Sequence, residues 1–155
     1  MTNKPDTLLP SAKEVMQQIA LADAEEAEKS ARARVEAEAE KKALIDHLSK
    51  PSGISEEEAI RRAIAIIQRS MKNRLTEVEV FRFPNQLCTD KGRAINQQEP
   101  GWEKTLNGAP KEIYQLWKKY FQPRGYRLRV QIIDFPGGLP GDIGMTLSWG
   151  HKEGL

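Results

Sequence analysis

The chain has 155 residues, of which 39% are hydrophobic and 30% charged, and its net charge is +2. This composition fits one small domain with an appendage, and the charge is too small to indicate nucleic-acid binding on its own. The single cysteine excludes an internal disulfide and favours a reducing compartment. The opening MTNKPDTLLP lacks the apolar region of a signal peptide, and no later run is long enough to span a membrane. We therefore expect a soluble, cytoplasmic protein.

The first third of the chain predicts a tail and one long helix. Residues 1–10 are predicted to be a disordered tail, and residues 11–50 a charged, Ala-rich helix. Ser11 and Glu14 have the spacing of a capping box, and no Gly or Pro follows before Pro51. Ala, Glu, Lys and Arg dominate, and all four favour helix. At 1.5 Å per residue the helix would be about 57 Å long, which exceeds the width of a small domain.

One side of this helix carries a thin apolar stripe at spacings of three and four residues. Its members are Met16, Ala20, Ala24, Ala27, Ala31 and Val35. Such a stripe suits close-packed antiparallel helices or a short coiled coil, so self-association is one interpretation. The other is a solvated single helix held by ion pairs between residues four apart. Ile45 and Leu48 form a separate apolar patch, which we expect to dock on the globular part.

Residues 51–155 are predicted to form an α+β domain. Its first helix starts with a second capping box, Ser55 to Glu58, and runs to about Asn73. The expected buried stripe of this helix is Ile60, Ala63, Ile64, Ile67 and Met71. A strand is predicted from Leu75 to Phe83. Its valines and phenylalanines fall on opposite faces, which indicates either a bulge or burial on both sides.

Of the next two segments, the first shows no pattern of secondary structure and the second predicts a helix. Residues 84–109 fit no period, and so long a loop either is functional or contains short elements. A helix with a heavy apolar face is predicted from Pro110 to Phe121, ended by Pro123 and Gly125.

Strict alternation from Tyr126 to Trp149 predicts a β-hairpin around the turn PGGLPG. If Phe135 lies near Asp142, the inner-face pairs are Leu128 with Trp149, Val130 with Leu147 and Ile132 with Met145. Because two strands alone are marginal, the strand at 75–83 must pair with one arm. The domain therefore has the order α-β-loop-α-β-β, with an antiparallel three-stranded sheet packed by helices on one face.

The sequence offers little catalytic or metal chemistry. Cys88 needs a base, and the chain has only His47 and His151. A Cys88–His151 pair is possible, but a loop or core thiol is the favoured interpretation. One Cys and two distant His do not fit a zinc site, and no metal or other cofactor is expected. Asp134 and Asp142 flank the glycine-rich turn and are expected to stabilise it.

A basic cluster is the most informative charged feature. The candidate binding residues are Lys118, Lys119, Arg124, Arg127 and Arg129. The two strand arginines project from the face opposite the apolar one and could bind phosphates or an acidic partner. The alternative is a charged solvent face that protects the sheet, since no exposed aromatic residues interleave with these arginines for base stacking.

Two functions follow from these features. The first is a non-enzymatic protein-interaction module that oligomerises or docks through residues 11–48 and presents the α+β domain to a partner. The alternative is a nucleic-acid-associated accessory protein that uses the basic face. No membrane partner is expected.

Overall fold

A computed structural model describes residues 5–150. The chain divides into two compact units, Met1–Lys42 and Ala43–Leu155. The first unit is helical, and the second combines helices with one sheet. The fold class is therefore α+β, as predicted.

The first unit contains a short helix, α1 (Pro5–Leu8), and most of a long helix, α2 (Ala12–Ser49). The hydroxyl of Ser11 accepts a hydrogen bond of 3.1 Å from the amide of Glu14, so the predicted N-terminal cap is present. The 38 residues of α2 include none that is buried. One ion pair links Glu28 to Arg32, at 3.9 Å along the helix.

The second unit begins within the last turns of α2. Ile45 and Leu48 pack against its hydrophobic core, as predicted for this patch. The compact unit accordingly starts at Ala43, before the chain reaches the helix breaker at Pro51.

Helix α3 (Glu56–Lys72) is capped by Ser55, whose hydroxyl accepts from the amide of Glu58 at 3.1 Å. Its predicted buried stripe was only partly right. Ile67 is buried, but Ile64 and Met71 are 44% and 59% exposed. Ser70 is buried instead, and its hydroxyl donates to the carbonyl of Ile66. Apolar residues lie on more than one side of this helix, and packing against the first strand selects the side that faces inward.

The sheet has three antiparallel strands, β1 (Glu77–Pro84), β2 (Arg127–Ile132) and β3 (Asp142–Ser148), in the order β1-β3-β2. The first strand therefore pairs with the second arm of the hairpin, which confirms that it joins the hairpin's sheet. A register shift between Glu79 and Phe81 marks a bulge at Val80. Because of this bulge, Val80, Phe81 and Phe83 all contribute to the core side.

The hairpin register differs from the prediction by two residues. The observed pairs are Leu128 with Leu147, Val130 with Met145 and Ile132 with Ile143. The first arm leaves the pairing after Ile133, two residues earlier than assumed, and there the carboxylate of Asp134 accepts from the amide of Asp142, at 2.6 Å. A shift of two residues keeps every side chain on its predicted face, whereas a shift of one would have reversed them.

The segment 84–109, which showed no period, contains three short helical pieces: Asn85–Leu87, α4 (Arg93–Asn96) and Trp102–Thr105. Leu87, Ile95 and Leu106 from this segment are buried against Phe83, Ile143 and Met145 of the sheet. The segment is thus the cover of one half of the inner sheet face.

Helix α5 (Ala109–Leu116) follows, and it continues into a π-helical turn (Trp117–Phe121) and a 3₁₀ turn (Gln122–Arg124). The indole of Trp117 donates to the carbonyl of Tyr126 at 3.0 Å, which fixes the π-helical turn to the start of β2.

Candidate functional site

The second unit contains an apolar cavity of about 860 Å³. Its floor is the half of the inner sheet face that the segment 84–109 does not cover, and it consists of Val80, Phe81, Leu128 and Leu147. Among the described residues, none between 85 and 108 lines it. The same sheet face therefore carries a closed core at one end and this cavity at the other.

Helices α3 and α5 form two walls of the cavity, and the end of α2 with the segment 50–54 forms a third. Helix α3 contributes Ile60, Ala63 and Ile66, and helix α5 contributes Ile113 and Leu116. These five side chains are half-buried. Apolar cavities between about 300 and 1,000 Å³ are the usual size of small-molecule sites.

Polar contacts connect the start of α3 to the end of α5 at the rim. The carboxylate of Glu56 lies 3.3 Å from the ammonium of Lys119 and also accepts a hydrogen bond from the hydroxyl of Tyr120. The pKa of the Glu56 carboxyl is lowered, mainly by the hydrogen bond from Tyr120 and next by the hydrogen bond from Lys119. A second contact joins the amide of Ser52 to the carboxylate of Glu112 at 3.2 Å. These contacts join the two walls at the rim.

The π-helical turn places three of its residues on the cavity. Trp117, Lys119 and Phe121 all line it, although they are spaced two residues apart. Trp117 and Phe121 are four residues apart and would share a face in an α-helix too, whereas Lys119 reaches the cavity from the rim. Nothing in the sequence pattern indicated this turn.

The five candidate basic residues lie in two places. Arg127 and Arg129 are on β2, on the outer face of the sheet, whereas Lys119 lines the cavity on the inner side. Lys118 and Arg124 are exposed in the turns after α5. Arg124 donates to the carbonyl of Tyr120, while Lys118 makes no ion pair within residues 5–150.

The outer sheet face balances its charges. Arg129 pairs with Glu77 across the sheet at 2.9 Å, and Arg127 donates to the carbonyl of Gly150 at 2.6 Å. Thr146 of the central strand lies between Arg129 and Glu79. Acidic residues on one edge strand therefore face basic residues on the other edge strand. The sequence of each strand alone does not show this pattern.

Cys88 is a core residue. It is 3% exposed, and burial raises the pKa of its thiol to about 11. A thiol in this state is a poor nucleophile, because the thiolate is the reactive form. His151, the base considered for it, lies outside the described residues.

The two aspartates at the hairpin turn act within the fold. Asp134 and Asp142 both pair with the guanidinium of Arg82, at 3.3 and 2.9 Å. Among residues 5–150 there is no group of three or more His, Cys, Asp or Glu side chains arranged to hold a metal ion.

No helix within the described part of the chain is both long and apolar enough to cross a membrane. Comparison of the chain with protein-family models, with curated proteins and with solved structures gives no match in any of the three.

Proposed function

We propose that this chain is a non-enzymatic interaction module, which self-associates through residues 12–42 of α2 and presents the α+β unit to a protein partner. The observation that carries the proposal is the exposure of α2. Met16, Ile19 and Val35 are 62%, 48% and 65% exposed, and no residue of the helix is buried. Helices in water gain most of their stability from packing an apolar face, so a partner for this face is expected.

A second copy of the same helix fits this face. The stripe runs from one large residue, Met16, through four alanines to another large residue, Val35. The spacing is symmetric about its centre, so that in an antiparallel pair Met16 of one copy meets Val35 of the other. Alanines allow the two backbones to approach closely, and the large residues at the ends bury the most apolar area.

Two matched double variants test the proposal in the full chain. The first variant, Met16→Lys with Ile19→Lys, adds two positive charges to the apolar side of the helix. The control, Gln17→Lys with Gln18→Lys, adds the same two charges to polar positions that lie between those residues in the sequence. We expect the first variant to be monomeric by light scattering and the second to retain the wild-type mass. Equal masses for the wild type and both variants would refute self-association through this face.

Nucleic-acid binding by the basic residues is the weaker proposal. Of the three arginines, Arg129 has a carboxylate partner, and Arg124 and Arg127 donate to backbone carbonyls. Phosphate binding would have to displace these contacts or use the remaining donors of each guanidinium.

A further inference from the structure

The cavity of the second unit has an apolar interior and a charged rim. The inner residues Ile60, Ile66, Phe81 and Leu128 are half-buried and present only carbon atoms from their side chains. Two of the charged side chains that line it, Arg62 and Lys119, are 60% and 61% exposed, whereas that of Glu112 is half-buried. A ligand that satisfies this arrangement has a long apolar body and a polar group at one end.

The charges at the rim favour an anionic group. Glu56 already accepts from Lys119 and Tyr120, and Glu112 accepts from the amide of Ser52. Arg62 uses its Nε to contact Glu58 at 3.3 Å, and its two terminal nitrogens make no hydrogen bond within the described residues. Because a guanidinium carries five N–H donors in a planar fork, it can bind a second carboxylate through this free edge.

The contacts across the rim of the cavity favour a slender ligand. Ser52, which precedes α3, contacts Glu112 in the first turn of α5. Glu56, at the start of α3, contacts Lys119 in the π-helical turn. A helix is about 10 Å in diameter, whereas a single hydrocarbon chain is narrower and so requires less displacement of these contacts.

We propose that the cavity binds a long-chain carboxylate, with the hydrocarbon chain between α3, α5 and the sheet and the carboxylate at Arg62. The π-helical turn supports this assignment, since such turns are frequent at functional sites and Trp117 and Phe121 of this turn line the cavity. The inference does not depend on self-association through α2.

A fluorescent polyene fatty acid, titrated into the full-length chain, tests the proposal directly. We expect its emission to rise on binding and palmitate to displace it. Hexadecanol should displace it about tenfold less well, because the alcohol cannot make the charge-assisted hydrogen bond to the guanidinium. No rise in emission with the wild-type chain would overturn the proposal. Displacement by an amphipathic helical peptide and not by palmitate would also overturn it, since it would identify a peptide groove.

Two pairs of variants on α3 locate the site. Ala63→Phe fills the cavity and should abolish binding, whereas Ala65→Phe, on an exposed position of the same helix, should not. Arg62→Gln should reduce palmitate affinity about tenfold and leave hexadecanol unaffected, because it removes one charge-assisted contact. Arg61→Gln is its control, since Arg61 has the same kind of ion pair, with Glu57, but does not line the cavity.

Equal effects within either pair would contradict the location. The arginine variants change only exposed positions and should fold. They therefore still test the location of the site if circular dichroism shows that Ala63→Phe is unfolded.

Discussion

Gly108 is the residue at which the last turn of α2 contacts the start of α5. Its φ is +64°, and a Cβ atom there would lie 2.0 Å from the carbonyl oxygen of Leu48. A side chain is excluded by this backbone contact as well as by the left-handed conformation.

Gly108→Ala should therefore lower the free energy of unfolding by about 2–3 kcal/mol or more, through strain and displacement of Leu48. Gly101→Ala is the control, since its φ is +83° but nothing lies within 4 Å of its Cβ position. It should cost only the conformational strain, about 1 kcal/mol. Urea denaturation of both variants measures the difference, and equal losses would show that the α2–α5 contact is not tight.

Cys88 provides a second residue-level prediction. With its pKa raised from 9.0 to about 11, the thiolate fraction at pH 8 should be about 100-fold lower than in the unfolded chain. Burial slows reagent access further. Labelling with a disulfide reagent should thus be slow in buffer and fast in denaturant. Rapid labelling of the native chain would show instead that the segment around Cys88 opens readily.

At this scale, local patterns were predictable and distant partners were not. The Ser11 and Ser55 caps depend on residues three positions away, so their spacing in the sequence was sufficient. The partner of Arg129 is Glu77, more than fifty residues away, and depends on the strand order. Only the structure could supply it.

Among the elements, the hairpin makes the clearest stability prediction. Leu147 is 4% exposed and lies between β1 and β2, opposite Val78 and Leu128. Leu147→Ala should cost about 2–5 kcal/mol by loss of buried area and creation of a cavity. Thr146→Ala, on the outer face of the same strand, should cost much less. A loss below about 0.5 kcal/mol for Leu147→Ala, typical of surface positions, would mean that the sheet faces are reversed.

The faces of the hairpin could be predicted because alternation fixes them, but its register could not. The register depends on the Asp134–Asp142 contact, which closes the turn two residues earlier than assumed. Helix α3 shows the same limit. Its sequence places Ile64 and Ile66 on different sides, and only packing against β1 determines that Ile66 faces inward.

At the scale of the whole molecule, self-association and nucleic-acid binding are expected to depend on salt concentration in opposite ways. In the symmetric antiparallel pair of α2 helices, the acidic run of Asp23, Glu25, Glu26 and Glu28 lies at the same level along the pair as the run of the other copy. Raising ionic strength from about 0.01 M to about 1 M shortens the Debye length from about 30 Å to about 3 Å and screens this repulsion. Self-association should therefore strengthen with salt, which sedimentation velocity would detect. Weakening with salt would contradict the symmetric register.

Nucleic-acid binding has the opposite salt dependence, because each phosphate contact releases counterions. If Arg127 and Arg129 contact phosphates, replacing both with Gln should flatten the log–log slope by about 1 per lost contact. We expect no retardation of DNA or RNA by the wild-type chain at about 50 mM salt, where such contacts are strong. Clear retardation that the double variant abolishes would favour the nucleic-acid function instead.

The order of elements was enough to predict an α+β fold with three antiparallel strands, because the long helices and the strands each show a clear hydrophobic period. The cavity was not predictable. It results from the separation of α3 and α5 above the sheet, which is set by contacts such as Glu56 with Lys119 and by the π-helical turn. Neither produces a periodic signal.

Sedimentation equilibrium of the wild-type chain over a wide concentration range tests the proposed self-association most directly. The monomer has a mass of 17.5 kDa. An exposed apolar stripe that pairs with a second copy predicts an average mass that rises with concentration towards twice this value. A mass that stays at 17.5 kDa across the range would contradict self-association and identify α2 as a solvated single helix.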